Sequence, residues 1–275
     1  MYYHVKMQKN KTCTDFLCID SGSGGLPYLL YLLERFPGYS SVYVADTENF
    51  PYGKKSKEKI VEAITALVER LLEHFEPKII IIACNTISVT ALDILRSRFS
   101  IPFVGTVPAI KQAVQLSKNK IIGLLATENT VASPYTDALF LEYASEFRLI
   151  KRGDAKLVRF VEKSLHKADE KKRKKALKPA LAFFEKNNID VLILGCTHFI
   201  HLINEIKNSA PSHWQILDSR AGVINRAIHI ANEKGIVPRL ESKALFYATK
   251  QYSASEEILL RSFLEQNAIS WQGLI

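Results

Sequence analysis

The amino-acid sequence predicts an α/β protein built as two similar halves, each with its own mostly parallel sheet. Three observations predict it. Apolar runs of strand length alternate along the chain with amphipathic segments of helix length, the order that gives βαβ units. Most of these runs are continuous Ile, Val and Leu rather than alternating, as suits parallel strands covered on both faces. Two stretches 112 residues apart also repeat one pattern: amphipathic helix, apolar strand, terminal cysteine, threonine, new helix. The first reads PKIIIIACNTISVTALDIL and the second IDVLILGCTHFIHLINEI. Any two βα units share an apolar strand, so chance is the competing explanation; the shared cysteine is what favours a repeat.

In chain order, a strand over 15–20 (DFLCID) runs into the loop DSGSGG and a helix over 26–36. A strand over 41–45 (SVYVA) leads through DTENFPYGKKS into a helix over 57–75. The strand over 78–84 (KIIIIAC) precedes a helix over 87–99, and a short strand over 103–105 precedes one over 109–117. The run over 120–126 (KIIGLLA) opens into ATENTVASPYTDAL and a helix over 133–146. A strand over 148–151 is followed by helices over 156–166 and 169–188, then by the second cysteine strand, 191–196, with a helix over 200–208. Strands over 215–218 and 244–248, with helices over 220–234 and 254–266, complete the chain. The three long loops all follow carboxyl ends of strands, where open α/β sheets bind ligands.

With 275 residues, 47% hydrophobic and 24% charged, the chain has room for one large domain or two modest ones and is not composed like a disordered protein. No apolar run reaches the ~18 residues of a membrane span. The beginning MYYHVKMQKNKTCTDF lacks the apolar core of a secretory signal, so a cytoplasmic location is expected. The net charge is +9. Lys6, Lys9 and Lys11 contribute, and the segment 166–179, HKADEKKRKKALKP, carries +5. Without interleaved aromatic side chains for stacking bases, that segment reads as a solvated helix face rather than a nucleic-acid site. The four cysteines, Cys13, Cys18, Cys84 and Cys196, follow no zinc spacing. Cys13 reads as a surface thiol and Cys18 as a small core residue. His4, His74, His213 and His229 form no constellation, and His166 and His201 read as surface or helix-packing residues.

Cys84 and Cys196 stand where strands end and helices begin. Unpaired N–H groups there favour an anion and enlarge the thiolate fraction of a group whose free pKa is ~8.5. A single nucleophile would need a partnered base; His198 follows Cys196, but nothing comparable follows Cys84. Two thiols in equivalent halves suit another task. If the halves close face to face, one removes a proton from a carbon centre while the other delivers a proton to its back face. Burial as small hydrophobes is the alternative for both. Asn85, Thr86 and Thr197 offer donors for a carboxylate. Asp20 and Ser21 open a glycine-rich turn, and Asp20 suits an ammonium group or a neighbouring thiol. The turn is neither GxGxxG nor GxxxxGK[ST], so it gives little support to nucleotide binding.

The segments IDSGSGGL (19–26), ADTENFPYG (45–53), ACNTIS (83–88), TENTVASPYTDAL (127–139) and GCTHF (195–199) together resemble the glutamate racemase family, in its order and over most of the chain. The resemblance implies interconversion of L- and D-glutamate by two-base proton transfer at the α-carbon, supplying D-glutamate for peptidoglycan. It implies no pyridoxal phosphate and no metal, and a homodimer. It also implies pseudo-symmetric halves with the active site in the cleft between them: 1–105, 106–217, and a segment 218–275 returning to the first half. By this resemblance Cys84 deprotonates the D-enantiomer and Cys196 the L-enantiomer. Asp20 assists the first thiol and His198 the second. Ser21, Pro51, Tyr52, Gly53, Asn85, Thr86 and Thr197 match ligand-binding positions, and Thr127, Thr130 and Ser133 match a polar loop lining the site.

Two departures stand out. GDAKLVRFVEKS (153–164) has Asp154-Ala155 where relatives often carry Cys-Pro; Glu162 is either the matching acid near the second thiol or a solvent-facing helix residue. Ser23 occupies a position where an aliphatic residue is common. Lys54 and Lys55, next to the Pro-Tyr-Gly, are expected in solvent. A racemase for aspartate or a hydantoin is the nearest rival, disfavoured by ADTENFPYG. A non-catalytic amino-acid or carboxylate binding protein is a third reading, and it would have no need of two thiols.

Overall fold

The computed structural model describes residues 11–275, so His4, Lys6, Lys9 and the first ten residues of the expected first half lie outside the described residues. Among the described residues the strands are β1 (Thr12–Asp20), β2 (Ser41–Ala45), β3 (Phe75–Ile82), β4 (Phe103–Gly105), β5 (Ile121–Ala126), β6 (Arg148–Gly153), β7 (Val191–Gly195), β8 (Gln215–Leu217), β9 (Ala244–Ala248) and β10 (Ile269–Leu274). The helices are α1 (Leu26–Arg35), α2 (Lys57–His74), α3 (Asn85–Arg98), α4 (Ile110–Leu116), α5 (Glu128–Val131), α6 (Pro134–Ala144), α7 (Ala155–Ser164), α8 (Glu170–Lys186), α9 (Thr197–Ile200), α10 (Ile203–Ser209), α11 (Arg220–Glu233) and α12 (Ala254–Gln266).

The strands form two sheets, in the orders β10-β9-β2-β1-β3-β4 and β6-β5-β7-β8. Every pairing is parallel. The repeat is visible in the topology. β2-β1-β3-β4 and β6-β5-β7-β8 are the same order, with a cysteine just beyond the third strand of each set. β9 and β10 extend the first sheet, and β2 pairs with β9 in register from Ser41 with Ala244 to Ala45 with Ala248.

The continuous apolar runs are explained by burial on both faces. Phe16 and Cys18 of β1 point into a cluster with α1 and α11, where Leu29, Leu32, Ile224 and Ala227 are fully buried. Leu17 and Ile19, one residue out of phase, point into a cluster with α2 and α3. Each such Leu or Ile contributes about 2 kcal/mol on leaving water. The second sheet is enclosed in the same way, by α7, α8 and α10 on one face and α4 and α6 on the other. Cys18 is buried and Cys13 exposed. The lysines of 171–178 lie on the exposed face of α8.

Several elements differ from expectation. β10 was not expected. Its sequence ISWQGL has only Ile269 fully buried, and the pairing with β9 shifts register between Trp271 and Gly273, so its pattern is that of an irregular edge strand. The helix expected over 57–75 stops at His74, and Phe75 already has extended backbone and opens β3. The helix expected over 200–208 is two short ones, α9 directly after Cys196 and then α10. The stretch between Thr127 and Ser133, expected as loop, contains the single turn α5.

Candidate active site

In each repeat the strand order turns back between the first and third strands, β1 and β3 or β5 and β7. Parallel sheets leave a crevice at the carboxyl ends of the strands at such a point. Cys84 caps α3 at φ −142°, ψ 116°, and Cys196 caps α9 at φ −140°, ψ 131°. The two thiols therefore stand in nearly the same backbone conformation, one per sheet. Both line one small cavity.

The loop NFPYG forms one wall and is anchored from below. Tyr52 donates its hydroxyl to Asp46 at 2.5 Å, Asn49 donates its amide at 3.1 Å, and Thr249 donates its hydroxyl at 2.9 Å. The opposite wall begins at Thr127, which caps α5. The Thr127 hydroxyl lies 2.9 Å from that of Thr86 and 2.9 Å from that of Thr130, so a chain of hydroxyls bridges the two halves. Asn85 lines the cavity with both side-chain amide atoms buried and unpartnered within the protein. Buried polar groups are almost always paired, so this unpartnered amide at the cavity wall is an exception.

The two thiols have different partners. The Asp20 carboxylate lies near Cys84 and acts on its thiol. Burial, reinforced by Asp20, pushes the Cys84 thiol well above its ordinary range, although the Ile87 N–H of α3 works the other way. The helix start was expected to enlarge the thiolate fraction. Here burial and the adjacent carboxylate outweigh it, and Cys84 is held as a thiol. Asp20 is itself pushed up to about 6, mainly by burial; nearby His198 and its hydrogen bonds oppose the rise. It accepts from Gly25 N–H at 2.6 Å and from Thr197 Oγ1 at 3.5 Å.

Cys196 faces an imidazole. Its Sγ lies 3.8 Å from His198 Nδ1, and His198 Nε2 lies 2.9 Å from Glu162 Oε2. Burial opposes charging the ring, but the bonds to Cys196 and Glu162 win, and His198 titrates well above a free histidine. Glu162 is correspondingly held below the usual carboxylate range. Burial opposes this too, and His198 and Ser23 outweigh it. Asp154, the departure noted in the sequence, caps α7 by accepting from Leu157 N–H at 2.9 Å, and so fixes the helix that carries Glu162. Glu162 is buried, which overturns the solvent-facing reading.

The glycines of DSGSGG make the close approach possible. A Cβ on Gly22 would meet the Glu162 carboxylate at 2.5–2.9 Å, and one on Gly24 would overlap the His198 ring. His201, expected at the surface or in helix packing, reaches Ser23 instead. Its Nε2 lies 3.2 Å from the Ser23 carbonyl oxygen, and burial lowers its pKa to about 4, so the ring is neutral and donates.

Of the site residues named from sequence, Ser21, Pro51, Tyr52, Gly53, Cys84, Asn85, Thr86, Thr127, Cys196, Thr197 and His198 line the cavity. Asp20 and Glu162 lie behind the wall, next to Cys84 and His198 respectively. Thr130 lies behind Thr127. Ser133 departs from expectation: it is the residue capping α6 and borders a different cleft. Phe50, Glu128, Ala155, Val158 and Arg159 also line the cavity, as does Lys54, which was expected only in solvent. Phe50 was legible, lying inside ADTENFPYG. The face of α7 that meets the cleft was not, because nothing local distinguishes Val158 or Arg159.

Among the described residues no group of three or more His, Cys, Asp or Glu is gathered as a metal site. No described helix is long and apolar enough to cross a membrane.

Residues 31–227 match the family model described as Asp/Glu/Hydantoin racemase. A glutamate racemase of Treponema pallidum (strain Nichols) is 35% identical over 257 residues, spanning 94% of this chain and 95% of the relative. A glutamate racemase of Proteus mirabilis is 38% identical over 245 residues, spanning 87% of this chain and 84% of the relative. The crystal structure of Escherichia coli glutamate racemase in complex with L-glutamate and the activator UDP-MurNAc-ala superposes with a TM-score of 0.84 at 31% identity, covering 96% of this chain and 98% of that one.

Proposed function

We propose, from the premise that the chain belongs to the Asp/Glu/Hydantoin racemase family and stands among its glutamate racemases, that Cys84 and Cys196 are the paired acid and base of its reaction. The protein is an isomerase that interconverts L- and D-glutamate. In this reading the D-glutamate serves peptidoglycan synthesis, and the reaction runs on the chain's own side chains, without pyridoxal phosphate.

The observation that carries the reading is the sharing of one cavity by two thiols with opposite preparation. Cys196 sits beside an imidazole that its neighbours hold charged, with Sγ 3.8 Å from His198 Nδ1; Cys84 sits beside a carboxylate that keeps it protonated. With L-glutamate bound, the Cys196 sulfur takes the α-proton. The electron pair is left on the α-carbon and spreads into the adjacent carboxylate. Cys84 then gives its proton to the opposite face, and the product is D-glutamate. In the reverse direction Cys84 passes its proton to Asp20, whose raised pKa suits it to accept one near neutral pH, and His198 gives one to Cys196; Cys84 then takes the α-proton and Cys196 protonates the opposite face. Asn85, Thr86 and Thr197 hold the substrate's polar groups. A cytoplasmic homodimer is part of the same reading.

The test uses L-glutamate in deuterated water. Two-base inversion puts solvent deuterium into the D-product from the first turnovers. D-glutamate that retains its original α-proton would overturn the assignment in favour of one shared base. Changing either cysteine to serine should reduce racemisation by at least ~10³-fold while leaving the fold and glutamate binding measurable.

A further inference from the structure

Ser23 is placed to control one of the two thiols and not the other. It lies in the loop after β1, in the first half, whereas Glu162 lies on α7, packed over the second sheet. Ser23 gives Glu162 two donors: its hydroxyl at 3.0 Å from Oε2, and its N–H at 3.2 Å from Oε1. Glu162 Oε2 is also the atom that meets His198 Nε2. Ser23 is in turn held by the neutral His201 ring on its carbonyl oxygen. Gly22 and Gly24 on either side leave just enough room for the carboxylate and the imidazole. A hydrogen-bonded line therefore runs from His201 through Ser23, Glu162 and His198 to Cys196, crossing between the halves twice. Cys84 is not on this line.

Resting on the racemase reading, we propose that Ser23 is a positioning residue: its hydroxyl, supplied by the first half, keeps the Glu162 carboxylate turned onto His198 and thereby readies Cys196 alone. The chain thus couples the closeness of its halves to the reactivity of one thiol. If the halves separate, Glu162 loses both donors, and the imidazole loses the orientation that Glu162 imposes.

The charged and titratable groups facing this pair come from several elements. They are Asp20 at the end of β1, Tyr43 of β2, Lys163 of α7 with His166 and Lys167 after it, His198 of α9 with Cys196 and His201 at its two ends, Tyr252 before α12 and Glu256 within it. Among them, Asp20 opposes ionisation of Glu162 and the His198 charge supports it. Loss of one charge-assisted donor should therefore make Glu162 easier to protonate.

The experiment reads the thiols directly. Iodoacetamide alkylation of Cys84 and of Cys196 is followed separately by peptide mass spectrometry, between about pH 5 and pH 9, in wild type, Ser23→Ala, Glu162→Gln and the double variant. In Ser23→Ala the acid-side fall of Cys196 reactivity should move up by about one pH unit, while Cys84 keeps its wild-type profile. On the Glu162→Gln background, Ser23→Ala should shift nothing. An unmoved Cys196 profile, equal movement of both cysteines, or a shift that persists with Glu162→Gln overturns the proposal. The unmoved Cys84 in the same sample shows that the cavity is intact. Racemisation by the wild type tests the underlying reading separately, because alkylation reports on Cys196 whether or not the protein turns glutamate over.

Discussion

Gly24 offers a sharp probe of the His198 arrangement. A Cβ at Gly24 would lie 2.5 Å from His198 Cε1 and 2.8 Å from Cγ. Nonbonded carbons settle at ~3.5–4.0 Å, so the ring must recede by about 1 Å. It has little room to do so. Glu162 holds Nε2 at 2.9 Å, the Phe50 ring lies 5.9 Å away between centroids, and His198 is 2% exposed. The strain of such overpacking is about 1–3 kcal/mol, a loss of a few degrees in Tm for a chain of this size. The functional cost is larger, because a displacement of about 1 Å from productive geometry costs about 10²-fold in rate. Gly24→Ala should therefore lower kcat/KM about 10²-fold while the protein stays folded. Racemisation followed by circular dichroism from either enantiomer gives the number. The loss must be equal in both directions. Mirror-image substrates have the same free energy in water, so the ratio of the two kcat/KM values is fixed at unity whatever the enzyme does. Gly222→Ala serves as the control: nothing lies within 4 Å of its added Cβ, and alanine suits a helix, so activity should be unchanged. Near-wild-type kcat/KM in a folded Gly24→Ala protein would refute the claim that the His198 position prepares Cys196.

Two further outcomes follow from the same geometry. Asp20 binds its proton up to about pH 6 in the native state but releases it near pH 4 when unfolded. The native state therefore holds more protons across that window, and this group's stabilisation is lost as pH rises from 4 to 6, by up to about 3 kcal/mol. Asp20→Asn should show its largest Tm deficit near pH 4, where the wild type has the full benefit, and a smaller or reversed one near pH 7. A deficit that grows toward pH 7 would contradict the assigned shift. Thr127→Val keeps the shape of the side chain but removes the hydroxyl that meets Thr86, Thr130 and the α5 backbone. It should cost about 1 kcal/mol in thermal unfolding and raise KM more than it lowers kcat, since the hydroxyl lies in the cavity wall opposite the NFPYG loop. An unchanged KM would remove Thr127 from the binding wall.

The fold was largely legible because its signals are local. Ile79–Ile82 and Val191–Leu194 are buried on both faces, and only a parallel strand between helix layers accounts for four consecutive apolar side chains bounded by polar loops. Cysteine at the same point of both units singled out the two side chains that share the cavity. β10 escaped because its partner is what makes it a strand: Gln272 and Leu274 are exposed, and the register holds only beside β9. Ser133 was misplaced for a related reason, since a residue next to a site loop in sequence can sit beyond a turn such as α5.

The sequence alone determined which atoms are proposed for the chemistry: two sulfurs at strand ends, a carboxylate before one and an imidazole after the other. Tertiary structure decided how those sulfurs differ. Burial and Asp20 keep Cys84 protonated, whereas Glu162, buried on a helix 36 residues before His198, supplies the counter-charge to the His198 ring that stands beside Cys196. Proton affinity depends on desolvation and on charges within a few ångströms, and those distances exist only once the two halves have come together.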